Sequence, residues 1–230
     1  MTRRSAGRPS ADAVVALSGG QDSALCLALA AKKHGAGRVA AITFSSGQRH
    51  AAEIECARAL AARFGVVAHK IVEMPFFGDL AGSALLSADA KISRPKGSCC
   101  PTTLVEGRNA FFLAAAAVWA KTLGAKTVYA GVSQADYSGY PDCREPFVRA
   151  QQRAMRLALD WPVRLVAPFM HMTKAQEWAL ADELGILDLV RRETLTCYRG
   201  VKGDGCGRCP ACRLRGRGLR EYLAAKARRT

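Results

Sequence analysis

The sequence predicts an α/β protein built on a doubly wound, mainly parallel sheet, with a C-terminal four-cysteine module attached. Three observations carry this. Short apolar runs alternate with helical segments along most of the chain, the pattern of βαβ units on a parallel sheet. A glycine-rich polar loop, Ser18-Gly-Gly-Gln-Asp-Ser23, stands between the first apolar run and the first helix. Four cysteines crowd between Cys197 and Cys212. The length of 230 residues fits one such domain with a small appended module.

The elements follow in order. Residues 1–11 are basic and polar and predict a disordered arm. Ala13 to Leu17 is an apolar run suited to a strand buried on both faces. Ala24 to His34 is alanine-rich and helical, with Gly35 as its stop. Val39 to Phe44 is a second strand, Ala51 to Phe64 a helix closed by Gly65, and Val66 to Val72 a third strand. Residues 73–104 lack a period and carry Pro75, Gly78, Gly82, Pro95, Gly97 and Pro101, the composition of a long functional connection. Glu106 to Leu123 is a strong helix, Thr127 to Ala130 a strand, and Gly131 to Glu145 a polar loop. Phe147 to Leu159 is helical and Val163 to Val166 a strand, and Thr173-Lys-Ala-Gln176 has the form of a capping box that opens another helix. A last helix follows the cysteines and runs to about Ala224. The boundaries expected are an arm at 1–11, a catalytic α/β domain at 12–192, and a zinc module with its helix at 193–230.

Composition narrows the classes. Half the residues are hydrophobic, enough for a core without disulfides. No apolar run approaches the roughly 20 residues of a membrane span. The polar start does not resemble a secretory leader, so a cytoplasmic protein is expected. Nine cysteines, four of them clustered, favour metal binding in a reducing compartment. The formal charge is +15, with 34 Lys and Arg against 19 Asp and Glu. The basic residues are scattered except near both ends, so a solvated basic surface is expected rather than direct nucleic-acid contact.

The loop Ser18 to Ser23 has the chemistry of a phosphate site. Its glycines let backbone N–H groups approach oxygens without a Cβ in the way, and the helix start adds free donors and a positive dipole end. Ser18 and Ser23 offer hydroxyls, and Asp22 can cap the helix or orient magnesium. The hexapeptide resembles that of the pyrophosphate-loop ATPases, Ser-Gly-Gly-x-Asp-Ser, which implies cleavage of ATP between its α and β phosphates. No Gly-Lys-Ser/Thr of a Walker loop is present. The nucleotide site expected is Leu17, Ser18, Gly19, Gly20, Gln21, Asp22, Ser23, Ala24, Leu25, Cys26 and Leu27.

Cys197, Cys206, Cys209 and Cys212 are spaced C-x8-C-x2-C-x2-C, with Gly200, Gly203, Gly205 and Gly207 between them. Four thiolates form a closed tetrahedral shell, which favours structural zinc; an iron–sulfur cluster is the rival. Cys26 and Cys56 fall on predicted helices and suit core packing. Adjacent Cys99 and Cys100 receive no role.

With both motifs present, the chain resembles the 7-cyano-7-deazaguanine synthases of the queuosine pathway from about residue 13 to 223. Ser18 to Ser23, Gly47-Gln-Arg-His50, Gly107-Arg-Asn109, Gly131-Val132, Asp136-Tyr-Ser-Gly-Tyr-Pro-Asp-Cys143, Glu193-Thr-Leu-Thr-Cys-Tyr198 and Lys202-Gly-Asp-Gly-Cys-Gly207 carry the match. The resemblance implies an adenine-nucleotide hydrolase-like sheet, a zinc ion, magnesium and a homodimer. It further implies an ATP-dependent conversion of 7-carboxy-7-deazaguanine and ammonia to the nitrile. A tRNA-thiolating enzyme with the same loop is the alternative. Ser46 stands where the family has an aromatic residue, and Glu106 where it has proline.

Asp22, Ser23, Arg49, His50, Arg108 and Asp136 are the catalytic candidates. Gln48, Arg49, Asn109, Tyr137, Tyr140, Asp142 and Arg144 are those for the substrate. Guanidinium forks suit its carboxylate. Carboxylates at Asp136, Asp142 or Glu145 suit the N–H edge of a deazaguanine, and His50 can move a proton.

Overall fold

The computed structural model describes residues 9–45, 52–76, 105–134 and 140–228. The expectations for Gln48, Arg49, His50, Asp136 and Tyr137 lie outside the described residues, as do those for Cys99 and Cys100.

Five strands form one parallel sheet in the order β3-β2-β1-β4-β5. They are β1 (Ala13–Ala16), β2 (Val39–Ser45), β3 (Ala68–Glu73), β4 (Thr127–Ala130) and β5 (Arg164–Val166). Val14 of β1 lies opposite Ala40 of β2 and Val128 of β4. β1 and β2 are apolar at nearly every position because helices cover both faces of the sheet. Alternate residues serve the two sides. Val14, Ala40, Ile42 and Val128 pack with α3 (Arg108–Thr122) and α4 (Glu145–Leu159). Ala13, Val15, Val39, Ala41 and Tyr129 pack with the other helices. These are α1 (Gln21–His34), α2 (Ala52–Phe64), α5 (Lys174–Glu183), α6 (Leu187–Glu193) and α7 (Pro210–Ala227).

The order of strands reverses between β1 and β4, so the connections leaving them diverge and a crevice opens at their carboxyl ends. Ser18 to Ser23 follows β1 there, and Gly131 follows β4.

Several boundaries differ from expectation for local reasons. α1 begins at Gln21 rather than Ala24, because Gln21, Asp22 and Ser23 enter its first turn and find partners there. α4 begins at Glu145, with Pro146 in the first turn, where its missing N–H is no loss. Helix α6 was not expected; it follows Gly185, which ends the preceding helix at φ +69°. The capping box at α5 forms: Gln176 N–H donates to Thr173 Oγ1 at 3.3 Å and Thr173 N–H to Gln176 Oε1 at 2.8 Å. Ala11, at the end of the expected arm, is buried and donates its N–H to the Leu123 carbonyl at 3.1 Å.

α7 lies along α5 and carries the four-cysteine module back onto the sheet. Trp178 of α5 is fully buried and donates its indole N–H to the Arg215 carbonyl at 3.1 Å. The helices approach most closely at Gly218, where an added Cβ would stand 2.5 Å from Lys174 Cβ and 2.8 Å from its carbonyl carbon. Gly218→Ala is therefore expected to lower unfolding stability by about 1–3 kcal/mol in urea titration, the usual range for overpacking. An unchanged midpoint would contradict this contact.

Candidate active site and candidate metal centre

The loop after β1 is held by backbone geometry that only glycine tolerates. Gly19 has φ +86°, and a Cβ there would come within 2.5 Å of the Glu53 carbonyl of α2. Gly20 is the N-cap of α1 and supplies no side-chain cap, so the helix start keeps donors for a ligand. The serines are tied within the loop. Ser18 Oγ donates to Ser23 Oγ at 3.2 Å, Ser23 Oγ to the Gly20 carbonyl at 3.0 Å, and Gly20 N–H to Ser18 Oγ at 3.3 Å. Across the crevice Gly131 abuts the first turn of α1, and a Cβ on it would lie 2.8 Å from Asp22 Cβ. Leu17, Ala24, Leu25, Cys26 and Leu27 are buried in the core beneath the loop. Burial pushes the Cys26 thiol well above its ordinary value.

A buried ionic cluster supports this first turn. Lys174 Nζ donates to Asp22 Oδ1 at 2.8 Å and to both oxygens of Glu177 at 3.0 Å. Glu177 is completely buried and also accepts from Gln21 Nε2 at 3.3 Å. Gln21 Oε1 is buried without a partner among the described residues. Sequence reasoning missed Lys174 and Glu177. Their only local trace is an i,i+3 charge pair beside Trp178 on a helix identified by its capping box.

The substrate candidates among the described residues gather where α3 meets the start of α4. Asp142, buried, accepts the Asn109 N–H at 2.9 Å on Oδ2, and Asn109 Nδ2 donates to the Asp142 carbonyl at 3.3 Å and to Cys143 Sγ at 3.3 Å. The two residues thus tie the N-terminus of α3 to the turn Pro141–Cys143. Arg108 lies over the Phe112 ring at 5.8 Å. Tyr140 precedes the turn, and exposed Arg144 is the N-cap of α4. Glu145 accepts from Arg149 Nε at 2.9 Å and meets His171 Nε2 at 3.1 Å, and these partners, Arg149 foremost, hold its carboxyl below the usual range.

The cysteine module folds into a separate centre. The sulfurs of Cys197, Cys206, Cys209 and Cys212 all lie within 4.8 Å of one another. Tetrahedral coordination at about 2.3 Å per sulfur calls for sulfurs about 3.8 Å apart, and Cys206 and Cys212 stand at 4.0 Å. Backbone N–H groups point at the sulfurs: Arg199 at Cys197 (3.3 Å), Cys209 at Cys206 (3.4 Å) and Cys212 at Cys209 (3.4 Å). N–H donation from Arg208 and Cys209 lowers the Cys206 thiol to about 6, whereas burial raises Cys212 to about 12. Gly205, at φ +74°, lets the chain pass the centre; a Cβ there would meet Cys212 Sγ at 2.4 Å. The residues present fit a single tetrahedral ion.

The segment Thr194 to Thr196 connects the two sites. Leu195 N–H donates to the Gly19 carbonyl at 2.9 Å and Gln21 N–H to Thr196 Oγ1 at 3.3 Å. Buried Arg215 of α7 donates to both threonine hydroxyls, at 2.8 and 2.9 Å. Neither contact was expected from sequence.

A doubly wound parallel sheet with a glycine loop at its reversal, backed by a four-cysteine centre, defines the class of protein. The family model described as "Queuosine biosynthesis protein QueC" matches residues 12–223. A 7-cyano-7-deazaguanine synthase from Phocaeicola vulgatus is 49% identical over 219 residues, 95% of this chain and 97% of that relative. The chain belongs to the QueC family of queuosine biosynthesis proteins. Two solved structures are more distant. An NH3-dependent NAD synthetase from Campylobacter jejuni has a TM-score of 0.48 at 19% identity, over 80% of this chain and 68% of that one. An NMN synthetase from Francisella tularensis has a TM-score of 0.42 at 17% identity, over 79% of this chain and 65% of that one.

Two outcomes test the clusters. Lys174→Met leaves Glu177 as an uncompensated buried charge and is expected to cost about 3–5 kcal/mol of stability; adding Glu177→Gln should restore most of it. Failure of the second change to rescue would show that the pairing is not what holds the helices. Gly205→Ala is expected to purify with well under half the metal per chain of the parent, measured by elemental analysis. Full metal content would contradict the crowding at Cys212.

Proposed function

We propose that this protein is an ATP-dependent carbon–nitrogen ligase that converts 7-carboxy-7-deazaguanine and ammonia to 7-cyano-7-deazaguanine. The observation that carries it is 49% identity, over 95% of this chain, with a relative of that name; the open N-terminus of α1 at the sheet reversal supports a site for ATP there. The thiolating alternative loses its ground, since the family match spans residues 12–223 and not the loop alone.

The proposed chemistry is the one that the resemblance to the synthases implies. The substrate carboxylate attacks the α-phosphorus of ATP and pyrophosphate leaves; ammonia then attacks the acyl carbon, and AMP departs to give the amide. A second activation at the amide oxygen, followed by loss of AMP and of the nitrogen's protons, gives the nitrile. Departing pyrophosphate carries charge that the free N–H groups at the start of α1 would stabilise. Asp22, at the mouth of the loop and paired with Lys174, would hold magnesium, which offsets phosphate charge when bound. Arg108 adjoins Asn109, the substrate-binding candidate at the start of α3, and Ser23, Arg49, His50 and Asp136 complete the proposed catalytic set. Cys197, Cys206, Cys209 and Cys212 would hold one structural zinc ion, and that coordination would tie α7 to the loop's supporting segment. We further assign a homodimer acting in the cytoplasm on small molecules.

The test is mass spectrometry of a reaction containing 7-carboxy-7-deazaguanine, ammonium, ATP and magnesium. Nitrile together with AMP and pyrophosphate is the expected result, and Asp22→Ala should abolish it while leaving the protein folded and metallated. No product from folded, metal-loaded parent protein would overturn the assignment.

A further inference from the structure

The glycine loop has a neighbour from a distant part of the chain, outside the Ser18 to Ser23 segment. We propose that the hydroxyl of Thr196 is an additional phosphate-binding donor of the loop, aimed by the buried guanidinium of Arg215. The inference rests on the loop's binding of ATP.

Arg215 is 3% exposed and lies over the Trp178 ring at 5.3 Å. A guanidinium can only donate. Its NH1 reaches Thr194 Oγ1 at 2.8 Å and Thr196 Oγ1 at 2.9 Å, and its NH2 the carbonyls of Val190 at 2.8 Å and Arg191 at 3.0 Å. Thr194 spends its own proton on the Val190 carbonyl at 2.6 Å. Thr196 differs. Its oxygen accepts from Arg215 and, at 3.3 Å, from the N–H of Gln21, the first residue of α1. A hydroxyl has two acceptor lone pairs and one proton. Both lone pairs are engaged, and among the described residues the proton has no acceptor. The polarity of the group is thereby fixed: Thr196 can offer its next partner only a donor.

That donor stands at the loop. A Cβ built on Gly20 would lie 3.7 Å from Thr196 Oγ1, ordinary contact distance, so the hydroxyl borders the loop's glycine. Leu195 N–H on the Gly19 carbonyl fixes the segment's height along the loop. An O–H with no freedom to turn, beside a helix N-terminus, suits an anionic oxygen and needs no reorganisation when one arrives. Arg215 is the positioning residue, and Thr196 would touch the ligand.

Calorimetry on the full, metallated chain tests this with three probes: magnesium pyrophosphate, MgATP and adenosine. Thr196→Val is expected to weaken pyrophosphate and ATP by about tenfold, the loss of one hydrogen bond to a charged group. Adenosine, which carries no phosphate, should change by less than about twofold, and Thr196→Ser should keep the parent affinity for all three. Parent-like pyrophosphate binding by Thr196→Val overturns the proposal. So does an equal loss for adenosine, or a Thr196→Ser as weak as the valine variant. Should Thr196→Val release its metal, Thr196→Ala, which adds no bulk, carries the same comparison. If the parent binds neither ATP nor pyrophosphate, the nucleotide site itself fails and this proposal falls with it; binding by the parent alongside an unaffected variant fails only the role of Thr196.

Discussion

A carboxylate with no exposure to water has to be neutralised on the spot, and in this protein that constraint sits at Glu177. Lys174, one turn away on the same helix, satisfies it and uses its remaining reach to take hold of Asp22. The first turn of α1 is thereby locked to α5. The loop's position follows, since Gly20 and Gln21 cannot move without dragging the cluster. A purely apolar contact would hold the helices together as well, but it would not fix the Asp22 carboxylate at the mouth of the loop. Stability and charge placement come from the same three side chains.

The metal centre joins this arrangement through a second path. Cys197 directly follows the Thr194 to Thr196 segment, so whatever fixes the four sulfurs also fixes the strip whose threonine hydroxyls accept from Arg215 and whose Leu195 N–H donates to Gly19. The centre lies far along the chain from the loop, yet Thr196, the residue immediately before its first ligand, accepts a hydrogen bond from α1. Gathering the sulfurs closes the chain's last segment over its first helix.

Much of this was legible in the sequence where the signals were local. Strand and helix alternation, the capping box at Thr173 and the four-cysteine spacing each depend on neighbours a few residues apart, and each has its counterpart in the structure. Helix ends were less clear, as at α1, where polar residues that look like loop are helical because their partners lie elsewhere. The supporting residues were invisible for a related reason. Lys174 meets Asp22 across 152 positions of sequence, and Arg215 looks like any other arginine of a basic helix. Asp142 shows the converse. Its sequence surroundings suggest an acceptor for substrate, and the fold places one of its oxygens on the backbone of Asn109. Burial and long-range pairing separate such residues, and neither is written in a local pattern.

Gly19, Gly131, Gly205 and Gly218 stand where one backbone passes another, or a sulfur, with no room for a methyl group. None of them has chemistry to offer. Any lineage that kept the fold would nonetheless have been held to glycine at these four positions as firmly as to its reacting groups. In an alignment of relatives, constancy at Gly131 beside Asp22 would therefore record thickness, while constancy at Asp22 would record charge. Two invariant columns, far apart in sequence but in contact in the fold, would then have unrelated causes.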